Sequence, residues 1–130
     1  FSSKGVLRGL HFQTGEYAQA KLVRVIKGMV LDVVVDLRKD SPTFSKHFSI
    51  ELSEDNKKQL FVPRGFAHGF IVLSETAVFS YKCDNFYNSA SEQGIRYDDP
   101  SLGIDWKLPT KEFIVSEKDL VLPTLSTLSL

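Results

Sequence analysis

No segment of this chain keeps a helical apolar period for more than two turns. Instead, short runs rich in Val, Ile, Phe and Tyr recur every eight to twelve residues, with Gly, Pro, Asn or Ser between them. That spacing leaves room for strands and turns and predicts an all-β sandwich or barrel. Strands are expected at residues 21–26, 29–37, 48–52, 60–62, 66–73 and 76–83. Lys27-Gly28 lies between two β-rich runs and predicts a hairpin. Residues 38–43 read as a turn, and residues 53–58 as one helical turn capped by Ser53. Residues 87–94 are polar and loop-like, and 102–106 read as short extended structure.

Strand alternation sorts side chains by face. His68 shares a face with Phe66, Phe70 and Val72, and Tyr81 shares one with Ala77, Phe79 and Cys83. If these faces line a barrel, His68 and Tyr81 are polar groups in an apolar cavity, and such groups need partners, which a ligand supplies. Asp32 and Asp36 fall on one face with Val30 and Val34 and read as solvent-facing. Cys83 falls on an apolar face, where a thiol is inert. Trp106 and Phe113 read as core.

A chain of 130 residues with 42% hydrophobic and 25% charged residues suits one domain with one core, spanning residues 1–130. Sixteen basic residues balance sixteen acidic ones, which excludes a nucleic-acid or membrane surface dominated by charge and leaves little electrostatic resistance to self-association. The single cysteine, Cys83, forms no intramolecular disulfide and fits a reducing, cytoplasmic setting. No apolar run approaches the ~18 residues of a membrane span, and no signal peptide is visible.

The chemistry gathers at Leu7-Arg8-Gly9-Leu10-His11-Phe12-Gln13, with Lys21 ten residues beyond the histidine. An imidazole between two cations suits a multiply charged anion and a proton transfer beside it. Arg8 and His11 are three strand positions apart, so they share a side only across a bend, which Gly9 permits. Taken alone, Arg8 and Lys21 read equally well as solvated charges. The three histidines, His11, His47 and His68, form no close pair of the kind that starts a metal site. There is no Gly-x-Ser-x-Gly and no phosphate-cradling Gly-rich loop. Tyr81, Phe86 and Tyr87 lie close in sequence, so one tyrosine could give a proton while another presents a ring to a base or sugar.

Several long motifs in one order carry a resemblance: VLRGLHFQ (6–13), QAKLVRV (19–25), DVVVDLRKDSPTF (32–44), FVPRGFAHGF (61–70), YKCDNFY (81–87), GIDW (103–106) and SEKD (116–119). Over nearly its whole length the chain resembles the dTDP-4-dehydrorhamnose 3,5-epimerase family. The resemblance implies a cupin-type jelly-roll barrel with short peripheral helical turns, a homodimer, and no metal or other cofactor. It implies epimerisation at C3 and C5 of dTDP-4-dehydro-6-deoxy-D-glucose to dTDP-4-dehydro-L-rhamnose, in dTDP-L-rhamnose biosynthesis. His11 falls on the family's general base, Asp119 on the carboxylate that orients it, and Tyr81 on the proton donor. Lys21 falls near the sugar's keto oxygen, with Arg8, His68, Glu92 and Lys118 on further substrate-binding positions. Tyr87 falls on the residue that stacks against thymine. Family members also carry an N-terminal segment with a strand that pairs with the partner subunit, an RGFFxE-like motif and a QDN stretch, and the resemblance implies that this chain lacks it.

Two other functions share these residues. A 3-epimerase of a related nucleotide 4-keto-6-deoxysugar would use the same base, lysine and donor. A non-catalytic cupin remnant that only binds nucleotide-sugars would retain the pocket without turnover.

Overall fold

The computed structural model describes residues 1–128. Ten strands form two facing sheets, as in a jelly roll. The strands are β1 (Ser2–Ser3), β2 (Val6–Gln13), β3 (Lys21–Lys27), β4 (Met29–Asp36), β5 (His47–Ser53), β6 (Gln59–Val62), β7 (Phe66–Val72), β8 (Thr76–Cys83), β9 (Glu92–Gly94) and β10 (Ile114–Val115). One sheet runs β1-β8-β3-β6. The other runs β10-β2-β7-β4-β5, with β9 added to the far end of β2. Pairing is antiparallel except between β10 and β2. Among the described residues, one four-residue helix, α1 (Glu117–Leu120), and four 3-10 turns decorate this frame.

The Val-rich β4 is buried along almost its whole length because both of its faces are covered. Val30 points between the sheets and packs with Val23, Val25, Leu52, Phe70, Val72 and Ala77. Leu31, Val33 and Val35 point the other way, against Leu7, Leu10, Ile71, Ile95, Leu102 and Trp106. The chain after β9 therefore lays a second apolar layer over the outer face of the larger sheet, and this layer buries Trp106 as expected, with Phe113 packed against it. Each such aliphatic side chain contributes about 1.5–3 kcal/mol on burial.

This double covering corrects the reading of Asp32 and Asp36 as solvent-facing: they are 0% and 1% exposed. Alternation of Val with Asp looks like a half-wet strand, but here one face looks into the barrel and the other onto the second layer. Asp36 is satisfied by Arg38, Ser41 and Thr43, which cap the turn after β4.

The expected Lys27-Gly28 hairpin does not form either. β3 and β4 lie in opposite sheets, and the chain turns the barrel's corner between them. Gly28 has φ +88°, and a Cβ there would come within 2.2 Å of the Thr76 carbonyl oxygen. Residues 53–58 make the expected cap, Ser53 Oγ accepting from Asn56 N–H at 3.0 Å, but no helix follows. Lys57 adopts φ +54°, which ends the turn. Within the loop-like stretch 87–94, Glu92–Gly94 is a strand paired to β2, while 102–106 holds no strand.

Candidate active site

Between the mouths of the two sheets lies a cavity of about 460 Å³, within the size range of small-ligand sites. It collects all nine residues expected to carry chemistry: Arg8 and His11 from β2, Lys21 from β3, His68 from β7, Tyr81 from β8, Glu92 from β9, Tyr87 from the loop before it, and Lys118 and Asp119 from α1. His11 and Arg8 line the same cavity because β2 is irregular between them: its register against β7 shifts there. Gly9 sits in the bend at φ +119°, and a Cβ on it would lie 2.7 Å from Gly69 Cα and 2.8 Å from the His68 carbonyl oxygen. The Gly9–Leu10 peptide bond is cis.

His11 is held by Asp119. Its Nε2 lies 2.6 Å from Asp119 Oδ1, and Asp119 Oδ2 accepts the Gly9 N–H at 3.1 Å. Asp119 is 2% exposed and is placed by the short helix, whose N-cap Ser116 accepts the Asp119 N–H. With Nε2 facing a carboxylate, the tautomer with hydrogen on Nε2 leaves Nδ1 as the basic nitrogen.

Lys21 and Tyr81 stand on the opposite sheet from His11. Burial lowers the pKa of Lys21, while Cys83, Asp32 and Glu92 act to raise it; the net direction is down. Tyr81 is 59% exposed, so it sits at the mouth rather than in an enclosed apolar cavity. Its ring leans on Phe79, which stacks on Phe70 at 4.6 Å and alongside His68. Cys83 is likewise exposed at the cavity wall and not sequestered on an apolar face. β8 loses cover toward this end. Burial and Asp84 push the Cys83 thiol up, against a smaller opposing effect of Lys21.

At the rim, Tyr87 Oη donates to Glu92 Oε2, and Lys118 Nζ donates to Glu92 Oε1 at 2.7 Å. Burial alone would raise the Glu92 carboxyl, but Lys118, Tyr87 and His11 hold it below the usual range. Gln13 anchors the loop that carries Tyr87: it donates to the carbonyls of Tyr17 and Phe86 and accepts from Asn88 N–H. Among the described residues no group of three or more His, Cys, Asp and Glu could hold a metal ion. No helix among them is long and apolar enough to cross a membrane.

One residue under the site, Asp32, carries no functional expectation from the sequence, which reads it as solvent-facing. His68, 8% exposed, has Nε2 at 2.7 Å from Oδ1 of the buried Asp32. Neither Asp32 oxygen nor His68 Nε2 has an aligned hydrogen bond among the described residues. The available signal was a lone carboxylate inside the apolar run Met-Val-Leu-Asp-Val-Val-Val.

The sequence profile of dTDP-4-dehydrorhamnose 3,5-epimerase matches residues 1–127. The chain is 54% identical over 119 residues to the dTDP-4-dehydrorhamnose 3,5-epimerase of Shigella flexneri, covering 92% of this chain and 65% of that protein. It thus spans slightly less than two thirds of that relative's length. Among solved structures, it superposes with a TM-score of 0.95 on dTDP-4-dehydrorhamnose 3,5-epimerase from Elizabethkingia anophelis NUHP1, at 61% identity, covering 96% of this chain and 69% of that one. It superposes with a TM-score of 0.94 on dTDP-6-deoxy-D-glucose-3,5-epimerase from Legionella pneumophila Philadelphia 1 in complex with dTDP-4-keto-L-rhamnose, at 48% identity, covering 98% and 67%.

Proposed function

The chain belongs to the dTDP-4-dehydrorhamnose 3,5-epimerase family, and from that premise we propose that it inverts C3 and C5 of dTDP-4-dehydro-6-deoxy-D-glucose to give dTDP-4-dehydro-L-rhamnose, as one epimerase domain of a cytoplasmic homodimer in dTDP-L-rhamnose biosynthesis. The observation that carries this reading is the division of labour across the cavity. His11 stands on the larger sheet, with Asp119 brought to it by α1, and Lys21 and Tyr81 stand on the smaller sheet facing it.

Epimerisation beside a ketone removes a proton, passes through a flat enolate and returns a proton to the other face. A ketone α-carbon is far less acidic than an imidazolium, and each pKa unit of that gap is about 1.4 kcal/mol. His11 takes the proton, with Asp119 fixing its ring and tautomer. Lys21 carries charge on the enolate oxygen, a role typically worth roughly 3–4 kcal/mol for one such donor. Tyr81 delivers the returning proton from the opposite wall. Arg8, His68, Glu92 and Lys118 hold the substrate, so that remote binding energy positions the reacting carbons. Tyr87, 65% exposed at the rim, offers its ring face to the thymine.

The dimer reading draws on the outer face of the smaller sheet, where cross-strand neighbours Leu22 and Phe61 are 40% and 61% exposed, and on the balanced charge. Sedimentation gives the assembly state directly.

The decisive experiment follows the substrate by NMR in deuterated water. Wild type is expected to label both C3 and C5, and His11→Ala neither. Labelling at one carbon only would assign a 3-epimerase. No turnover and no exchange with bound sugar nucleotide would assign a non-catalytic binding protein. Exchange at the wild-type rate in His11→Ala would remove His11 as the base.

A further inference from the structure

Gln13 takes part in no step of the reaction described above, yet it is a buried polar side chain on the cavity wall. It lies two residues beyond His11 on β2, where strand alternation turns both side chains the same way, and both line the cavity. A buried primary amide has two N–H groups and a carbonyl oxygen to satisfy. Gln13 places all three on backbone. Its Nε2 donates to the Tyr17 carbonyl at 2.7 Å and to the Phe86 carbonyl at 3.1 Å, and its Oε1 accepts the Asn88 N–H at 3.0 Å. Two of these bonds bracket Tyr87, one on the residue before it and one on the residue after it. The third ties that loop to the 3-10 turn Gly15–Tyr17.

The far end of the tyrosine is held from the same place. Glu92 is the cross-strand partner of Gln13 in the β2–β9 pair. One of its oxygens accepts the Tyr87 hydroxyl, and the other accepts Lys118 Nζ. An exposed ring thus has its backbone and its hydroxyl fixed by two residues paired across neighbouring strands. Other amides join the same two loops: Asn85 Nδ2 donates to the Glu16 and Ala18 carbonyls, and Gln19 Nε2 donates to the Asn85 carbonyl. Those bonds act at residue 85, whereas Gln13 holds both neighbours of Tyr87.

We infer that Gln13 is a positioning residue for the thymine end of the substrate: its amide holds the backbone of Tyr87 so that the ring stands as a stacking platform before the nucleotide arrives. The inference rests on the reading of Tyr87 as the thymine platform of the proposed epimerase. A ring on an untied loop is ordered only by the ligand, and that ordering weakens binding; a ring already fixed binds without it. Gln13 therefore acts on nucleotide affinity and not on the reacting carbons.

The test measures calorimetric binding of dTDP and turnover of the dTDP-4-keto-6-deoxysugar in wild type, Gln13→Met and Gln13→Ala, with thermal melts to establish folding. Methionine keeps the length and removes all three bonds, and alanine admits water to the stranded groups. Kd for dTDP and KM are expected to rise roughly tenfold while kcat changes less than about threefold. Tyr87→Leu is expected to weaken dTDP as well, and in that background Gln13→Ala should add less than about twofold, because the two residues act as a unit. Unchanged dTDP affinity in the Gln13 variants, a full additional loss in Tyr87→Leu, or a loss confined to kcat overturns the inference.

A second arm needs neither turnover nor a variant. In wild type the Asn88 N–H is expected to be protected from hydrogen–deuterium exchange without ligand, and saturating dTDP should slow its exchange by less than about fivefold. Free exchange that becomes protected only with dTDP overturns the inference, since the ligand would then order the loop. Coupled loss of dTDP binding in a protein that neither turns over nor exchanges the sugar keeps the positioning role and rejects the epimerase reading. Wild-type dTDP affinity in Tyr87→Leu rejects the thymine platform and this inference with it, and leaves the epimerase reading to the deuterium labelling.

Discussion

Asp119 holds His11 by a 2.6 Å contact from Oδ1 to Nε2 while its other oxygen accepts the Gly9 N–H, two residues before the histidine. One carboxylate thus fixes both the ring and the bend in the strand that carries it. Replacement by alanine leaves the imidazole free to turn and strands a buried N–H. Asp119→Ala is expected to lower kcat by roughly 10²-fold or more, with a smaller change in KM. Asp119→Asn should restore stability more than rate, because the amide still fills the site but does not stabilise the imidazolium formed on proton abstraction. Equal recovery of both in the asparagine variant would argue for a purely structural role.

Tyr81 faces His11 across the cavity from the other sheet, leaning on the Phe79–Phe70 stack. An acid on the far wall is needed for return of the proton and not for its removal. Tyr81→Phe keeps the ring and removes the hydroxyl. It is expected to slow net inversion at least about tenfold more than deuterium exchange at the substrate α-carbons. Equal slowing of the two would remove Tyr81 as the acid.

Gly9 is required twice over: its φ of +119° disfavours side chains, and a Cβ would press on Gly69 and on the His68 carbonyl. Gly9→Ala is expected to cost about 1–3 kcal/mol from backbone strain alone. Because the bend sets Arg8 and His11 relative to each other, activity should fall by more than the loss of folded protein accounts for. Thermal unfolding and kcat/KM measured on the same preparation separate the two effects.

The six strands from β3 to β8 and the bend at Gly9 were legible in the sequence because both are local: alternation reports a strand, and an Arg and a His three apart line one cavity only across a bend. Which sheet a strand joins is not local. The runs on either side of Gly28 look like hairpin arms, and they part because the chain must turn the barrel's corner. Asp32 and Asp36 were misread for a related reason. The layer that covers the second face of β4 comes from residues after β9, far along the chain. Asp119 lies 108 positions from His11, so no spacing rule pairs them; only the resemblance of SEKD to a known motif pointed there. Glu92–Gly94 escaped notice because three polar and small residues have no strand signature until β2 offers its edge.

Asp36 gives a prediction for acid stability. It is 1% exposed and accepts from Arg38 Nε and Nη2, from Ser41 Oγ and from Thr43 Oγ1. The Arg38 hydrogen bonds, with help from Ser41 and Thr43, outweigh burial and hold the carboxyl well below the ordinary aspartate range. A folded-state pKa below the unfolded one stabilises the fold above the unfolded value and loses that contribution as pH falls toward the folded value. Wild-type stability should therefore decline from about pH 5 downward, and Asp36→Asn should flatten that decline. At neutral pH the variant should be less stable by roughly 1.5–3 kcal/mol, the scale of hydrogen bonds to a charged group. The Arg38 guanidinium also lies 4.9 Å over the ring of Phe66, which lines the cavity, so the substitution should raise KM for the sugar nucleotide as well. Chemical denaturation of both proteins between pH 3 and pH 7 measures the difference, and parallel curves over that range would refute the role assigned to Asp36.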